Sequence, residues 1–259
     1  MFKKILFLIC LLFTLSLFIS CSGGTPELPY FNTGEPATPD ELKIDRLFPS
    51  QSVKQWVYNY REFKYSYYYE QVLYEFNATE KWDVLENSSE GSHTYITIDK
   101  YGEGYFRSSK IYFKKTPSSL HWWGIKFSYD NYIRGFEGKL LLFPVQANSS
   151  WDTIIPFESH DQYLHLGKGR NTVSTISEEV YTPAGTFSHC VRNDFTATDT
   201  QDIPDYGYST LGFAITFWFA PDVGIVKIKS VLTIDSFNYP EKDDRFEIYR
   251  TLESYEWMN

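Results

Sequence analysis

Large apolar residues alternate with polar ones along most of this chain. In segment 226–234 the apolar positions alternate with Lys227 and Lys229. In segment 213–220 every second residue is large and apolar: Phe213, Ile215, Phe217 and Phe219. A period of two is typical of antiparallel strands that have one buried face and one solvated face.

The same alternation recurs in short runs that Gly, Pro, Asn or Ser residues separate. It predicts further strands at residues 56–63, 65–76, 81–86, 93–101, 105–115, 120–129, 138–143, 151–157, 172–181, 186–196 and 245–256. About 210 residues carry this pattern, and that length is compatible with one large β-domain. We therefore predict an all-β fold, either an antiparallel sandwich or a half-open, barrel-like arrangement of sheets.

The first twenty residues follow a different pattern. Two lysines near the start precede an apolar run at residues 5–19, which only Thr14 and Ser16 interrupt. This is typical of a secretory signal peptide. The run is shorter than the roughly 20 residues that a membrane-spanning helix needs. We therefore assign residues 1–20 to a signal peptide.

The end of this run, Ser20 followed by Cys21, resembles the lipobox of bacterial lipoproteins. In that family the cysteine is acylated, by palmitate among other chains, and becomes the new N-terminus. Phe18 departs from the usual aliphatic residue, and Ser22 in place of aspartate resembles lipoproteins that are sent to an outer membrane. We predict lipidation at Cys21; the alternative is ordinary cleavage near Ser20 or after Gly23, which would release a soluble protein.

Residues 21–46 read as a proline-rich tether that ends in a short helix. Thr38 is suited to the N-cap position, Pro39 to the first helical turn, and Glu41 to a capping box. The pattern predicts a helix of two turns that runs into Arg46.

Charge excludes one class of partner. The chain has 24 basic and 33 acidic residues, and residues 1–20 contain two of the lysines, so the mature protein has 22 against 33, a net charge of −11. No basic group is larger than a pair such as Lys114 and Lys115. Nucleic-acid binding needs a basic footprint, so we exclude it.

One short repeat suggests two similar β-halves. Residues 47–56 and 142–151 are identical at five of ten positions, including a Phe-Pro pair and a tryptophan. Proline ends a strand because it removes a backbone donor, and the tryptophan opens the next one. We divide the body into halves at 47–141 and 142–259; the alternative is a shared local turn.

The second half resembles a group of uncharacterised bacterial lipoproteins. The shared motifs are FP-x6-W at 143–151, TPAGTF-x2-C at 182–190 and WFAPxVGIVK at 218–227. Asn148 replaces a glycine that is usual there, and asparagine tolerates the left-handed conformation, whereas Val53 in the first copy does not. The resemblance implies a β-rich envelope protein and brings no known activity or catalytic residue.

Known catalytic patterns are missing from the sequence. It has no nucleophile elbow, phosphate-binding glycine loop, zinc motif or paired cysteines. The nearest group is Glu158, His160, Asp161 and His165, whose two histidines would face opposite sides of a strand. Cys190 has no intrachain partner and is expected to be a buried apolar filler; the alternatives are a reactive thiol or an intermolecular disulfide. We predict no enzyme activity, no cofactor and no metal.

Aromatic residues make up 19% of the chain, and tyrosines crowd residues 58–74. Exposed tyrosine and tryptophan rings suit stacking on sugars or contact with proteins. The alternative is that tyrosine simply favours a half-buried sheet. The ligand-contact candidates are Tyr58, Tyr67, Tyr69, Trp122 and Trp123.

These observations favour a non-enzymatic lipoprotein of the bacterial envelope. It would be anchored to the membrane through its N-terminal lipid, in the outer membrane if the cell has one, and would make structural or partner contacts with an envelope protein or glycan. One alternative is a carbohydrate- or peptide-binding module that uses exposed Tyr and Trp. Another is a carrier of an apolar ligand, which requires an apolar cavity in a half-open barrel.

Overall fold

The computed structural model describes residues 37–102, 108–158, 164–203 and 206–258. These residues form one short helix, α1 (Ile44–Leu47), one 3₁₀ turn (Pro240–Lys242) and twelve strands. The strands are β1 (Val53–Ser66), β2 (Gln71–Glu90), β3 (His93–Gly102), β4 (Ser109–Thr116), β5 (Ser119–Phe127), β6 (Arg134–Leu142), β7 (Ser150–Glu158), β8 (Leu164–Thr182), β9 (Gly185–Ile203), β10 (Gly207–Ala220), β11 (Gly224–Ser236) and β12 (Asp244–Trp257).

All twelve strands belong to one antiparallel sheet. Its order is β6-β5-β4-β3-β2-β1-β12-β11-β10-β9-β8-β7. Each half of the chain is a six-stranded meander, and the pairing of β1 with β12 joins the two. Since β6 and β7 also lie side by side, the sheet is a nearly closed barrel. The all-β, barrel-like prediction with one short N-terminal helix is confirmed, and the duplication of the two halves stays a prediction.

Several predicted elements are wrong in their boundaries. For example, β2 (Gln71–Glu90) is continuous across residues 77–80, where the pattern predicts a break. The predicted strand at 65–76 contains a turn, because β1 ends at Ser66 and β2 begins at Gln71. Tyr67 and Tyr69 continue the alternation through that turn, so periodicity alone does not reveal it. The chain reverses where Glu70 adopts a positive φ of 50°, without the Gly or Pro that usually marks such a place.

The N-terminal helix is shorter than predicted, since α1 has only four residues. The predicted cap does form: the Thr38 amide donates to Glu41 Oε2 at 2.7 Å, and the Glu41 amide donates to Thr38 Oγ1 at 3.3 Å. The following backbone bonds are irregular, because Leu42 reaches four residues back and Lys43 only three. The capped segment is therefore a turn that leads into α1.

Large side chains fill the inside of the barrel. Trp56, Tyr58, Phe217 and many others are buried. Phe48, which follows α1, packs 4.9 Å from the ring of Phe113 and closes one end of the barrel, here called the plugged end. A cavity between Trp82, Trp122 and Phe217 measures only about 20 Å³, which is room for about one water.

Two of the sequence motifs in the second half form tight connections between neighbouring strands. Residues 183–184 connect β8 to β9, and residues 221–223 connect β10 to β11, as the sequence predicts. Gly224 has a φ of 96°, and a side chain there would meet the indole of Trp56 at 3.4 Å. The same indole donates from Nε1 to the Val223 carbonyl at 2.6 Å. Asn148 also adopts the left-handed conformation expected of it, with a φ of 64°.

An ion pair lies buried inside the barrel. Arg250 Nε lies 2.8 Å from Glu80 Oε1, and Trp82 Nε1 donates to the same oxygen at 2.5 Å. Burial alone would raise the pKa of Glu80, but the charges of Arg250 and Lys100 outweigh it and hold the pKa below its usual range. The guanidinium of Arg250 also stacks 4.9 Å from the ring of Tyr60. The interior charge is therefore paired rather than solvated.

Side chains complete the junction between β6 and β7, here called the seam. Thr153 Oγ1 accepts from the Lys139 amide at 2.6 Å, and Trp151 Nε1 donates to the Lys139 carbonyl at 2.9 Å. The buried Asn193 donates from Nδ2 to the Leu140 carbonyl at 2.6 Å. Side chains thus supply hydrogen bonds at the seam to backbone groups of β6.

We expect Arg250→Met to lower the free energy of unfolding by about 3 kcal/mol, because it leaves the Glu80 carboxylate buried without its partner. The double variant Glu80→Gln/Arg250→Met should lose less than the sum of the two single losses. Urea denaturation measures all three values. Arg61→Met, which removes an exposed ion pair with Glu75, is the matched control and should change little. Additive losses in the double variant would contradict this account.

At the seam, we expect Asn193→Leu to cost about 1 kcal/mol, because the Leu140 carbonyl loses one of two buried donors and keeps the other, Asn171 Nδ2 at 3.0 Å. Amide hydrogen exchange in β6 should accelerate more than exchange in β1. Asn77→Leu is the control, since Asn77 is exposed on β2 and its side chain donates to the exposed Glu75 rather than to a buried carbonyl. If β6 exchanges no faster in Asn193→Leu than in the wild type, Asn193 does not hold the seam.

Candidate functional site

The end of the barrel opposite α1, here called the open end, carries many exposed aromatic side chains. The connections β1–β2, β5–β6, β9–β10 and β11–β12 all lie at this end, because the strands run alternately up and down. On or beside three neighbouring connections lie six exposed rings: Tyr67, Tyr68, Tyr69, Tyr208, Phe237 and Tyr239. We call these six residues the aromatic ridge.

Backbone and ring contacts join the parts of the ridge. The Tyr67 amide donates to the Asp243 carbonyl at 3.1 Å, which ties the β1–β2 turn to the β11–β12 connection. The Phe237 amide donates to the Tyr208 carbonyl at 3.1 Å. The rings of Tyr208 and Phe237 stack with centroids 5.5 Å apart. Hydrogen bonds therefore join the three connections that carry the ridge.

A polar network supports the ridge from below. Lys64 Nζ lies 2.8 Å from Asp244 Oδ2, and the Tyr206 hydroxyl donates to the same oxygen at 2.6 Å. Ser236 Oγ donates to the Tyr206 carbonyl at 2.7 Å and accepts from the Tyr239 amide at 3.1 Å. These bonds restrain the connections, and restrained groups lose less conformational entropy on binding than free ones.

The ridge is large for an exposed aromatic surface. Its side chains are between 43% and 61% exposed, which amounts to roughly 600 Å² if a free ring presents about 200 Å². The largest apolar patch on a typical monomer is about 300–600 Å², and patches of that size are often functional. The ridge therefore stands out as a contact surface.

The five predicted ligand-contact residues do not form one site. Tyr67 and Tyr69 lie on the ridge. Tyr58 is buried inside the barrel and donates to the Ile225 carbonyl at 2.8 Å. Trp122 is also inside and donates to the Gly124 carbonyl at 3.2 Å. Trp123 lies on the outer face of β5, away from the other four.

Sequence reasoning missed four ridge residues: Tyr68, Tyr208, Phe237 and Tyr239. Phe237 and Tyr239 follow β11 directly, next to Asn238 and Pro240, and an aromatic residue inside a turn-forming segment is the signal that was available. Tyr68 lies in the turn that was predicted as strand. The sequence could not show that these turns are neighbours, because that depends on the pairing of β1 with β12.

The described part of the chain offers little for catalysis. It contains no group of three or more His, Cys, Asp or Glu residues placed to hold a metal. Burial raises the pKa of Cys190 to about 12, so the thiol is an apolar filler, as predicted. No helix in these residues is long and apolar enough to cross a membrane. Cys21, His160 and Asp161 lie outside the described residues.

No protein-family model and no curated protein sequence matches this chain. Two crystal structures resemble it in fold. A candidate lipoprotein from Parabacteroides distasonis is 14% identical, with 82% of this chain and 98% of that chain covered and a TM-score of 0.42. A candidate exported protein with a YmcC-like fold from Bacteroides fragilis is 14% identical, with 82% and 99% covered and a TM-score of 0.38. At this identity, nothing about function is transferred from either protein.

Proposed function

We propose that this chain is a lipid-anchored lipoprotein of the bacterial envelope that binds another envelope protein through the aromatic ridge. The anchor rests on the signal peptide and Cys21. The binding role rests on one observation, the six exposed aromatic rings on three hydrogen-bonded connections at the open end. The proposed role is binding and is not enzymatic.

The first described residue, Ala37, and the ridge lie at opposite ends of the barrel. Ala37, where the described chain begins, donates its amide to the Ile176 carbonyl at 3.3 Å, in the half of β8 that leads to the plugged end. Arg46 pairs with Asp222 in the β10–β11 turn at the same end. The N-terminal segment of the described chain is therefore held at the plugged end, away from the ridge.

The shape of the ridge favours a protein partner over a small ligand. Small-ligand sites are concave, whereas the ridge lies on hairpin turns and their neighbours. Tyrosine is enriched at binding hot spots because it offers a large, rigid contact area with a polar edge. Lys242 Nζ lies 5.1 Å from the Tyr239 ring centroid and places a positive charge beside the ridge.

The interior gives no support to the carrier alternative. The cavity beside Trp82 and Phe217 holds about 20 Å³, whereas pockets for small molecules usually measure about 300 Å³ or more. Its lining also includes the charged Lys100 and Arg250. An apolar ligand would have to displace packed side chains and a paired charge.

We expect Cys21→Ala to abolish metabolic labelling with palmitate and to move the protein from the membrane fraction to the soluble fraction, because the acyl chains supply the membrane affinity. Cys190→Ala is the control and should keep both the label and the membrane fractionation. Palmitate label that persists in Cys21→Ala would refute lipidation at this residue.

For the ridge, we expect a photo-crosslinking amino acid at position 68 or 208 to yield the same discrete protein adduct in intact cells. The same probe at position 181 or 257 is the control, since Tyr181 and Trp257 are also exposed but lie at the plugged end. Combined Tyr69→Ser and Phe237→Ser substitutions should remove the adduct, because they take away contact area.

Two results would contradict a ridge-bound partner. One is equal crosslinking at the ridge and at the control positions, which indicates non-specific contact. The other is an adduct whose yield does not change when Tyr69 and Phe237 are replaced by serine.

A further inference from the structure

A second aromatic site lies on the outer face of the barrel, where β3, β4, β5 and β6 run side by side. It is an open cleft of about 320 Å³. Its lining includes Tyr95 on β3, Lys114 on β4, His121 and Trp123 on β5, and Glu137 on β6. This volume is at the lower end of the range for small-molecule sites.

An irregularity in the strand pairing creates the cleft. On one side of β5, Phe113 pairs with Trp122 and Tyr112 pairs with Gly124, so Trp123 is the extra residue of a β-bulge. On the other side, the pairing with β6 also shifts at this point. Gly135 on β6 leaves open space, because a Cβ added there would meet nothing within 4 Å. The indole of Trp123 is thereby left at the edge of an open cleft.

Two buried polar atoms in the cleft lack hydrogen-bond partners: Trp123 Nε1 and His121 Nδ1. The His121 side chain is only 5% exposed. Its other nitrogen, Nε2, lies 2.6 Å from Ser119 Oγ. Nδ1 is 3.7 Å from Glu137 Oε1, which is too long for a hydrogen bond. Buried polar groups are normally paired. Each of these atoms exposes less than 1 Å², so a ligand in the cleft reaches them only when the side chains around them move aside.

The rest of the lining points to a neutral, polar ligand with an apolar face. The rings of Tyr95 and Trp123 lie nearly perpendicular, with centroids 6.3 Å apart. Lys114 and Glu137 bring one positive and one negative charge, so the lining favours neither an anion nor a cation. Burial lowers the pKa of His121, with the charge of Glu137 opposing that shift, and the imidazole is therefore neutral at pH 7.

We propose that this cleft binds one pyranose ring of a glycan. The C–H face of the sugar packs on the indole of Trp123, one hydroxyl oxygen accepts from Trp123 Nε1, and a second hydroxyl bonds to His121 Nδ1. A pyranose supplies all three features without a charge. This site is distinct from the aromatic ridge in position and in ligand class, so either proposal can fail without the other.

The test is a titration of the protein with the methyl glycosides of glucose, galactose, mannose and N-acetylglucosamine, followed by the indole N–H signals in nitrogen-15 NMR spectra. The variant Trp123→Phe identifies the Trp123 signal by its loss. We expect at least one glycoside to shift that signal while the indole signals of the buried Trp56 and Trp218 stay in place.

The variants separate the contributions to binding. Trp123→Ala should weaken binding of the responding glycoside by at least about tenfold, because the stacking surface is lost. Trp123→Phe should weaken it about fivefold, as expected for one neutral hydrogen bond. Gly135→Leu should block the cleft without disturbing the fold, because the position is exposed and its neighbourhood is open. For these variants, saturation-transfer difference spectra measure the affinity.

Tyr181→Ala is the matched control, since it removes an exposed ring at the β8–β9 turn, far from the cleft. This variant should bind the responding glycoside with the same affinity as the wild type. The proposal is overturned if no glycoside shifts the Trp123 signal. It is equally overturned if a glycoside binds Gly135→Leu as tightly as the wild type, a result that remains decisive even if Trp123→Ala fails to fold.

Discussion

Closure of the sheet is the constraint on which the rest of this structure depends. An open sheet leaves a row of unpaired backbone donors and acceptors on each edge strand. The pairing of β1 with β12 leaves β6 and β7 as the edges. These two strands then lie side by side, and Thr153, Trp151 and Asn193 supply hydrogen bonds to backbone groups of β6. At this seam, side-chain hydrogen bonds therefore replace part of the backbone hydrogen bonding that joins neighbouring strands elsewhere in the barrel.

Closure also decides where binding can take place. The inner face is filled by large side chains and by the ion pair of Glu80 and Arg250, and α1 with Phe48 occupies one end. The surfaces proposed for binding therefore lie outside the interior, at the open end and on the outer face. The aromatic ridge uses the first, on turns that the barrel brings together, and the Trp123 cleft uses the second, where a bulge interrupts regular pairing.

The ridge and the cleft suit different kinds of binding partner. The ridge is apolar and broad and lies on turns that hydrogen bonds hold in place, which suits the burial of area against a protein. The cleft is small and contains two buried polar atoms without partners, which suits a ligand that satisfies them. A single barrel can therefore offer two independent contacts.

The sequence by itself determined the strand content, the turns at 183–184 and 221–223, the left-handed Asn148 and the buried Cys190, because each depends on local conformation or composition. It did not reveal the turn after Ser66, since Tyr67 and Tyr69 keep the strand alternation. Nor did it distinguish Tyr58 from Tyr69, although one is buried and the other exposed. Alternation shows that two faces differ, but only the closed barrel decides which face is inside and which turns become neighbours.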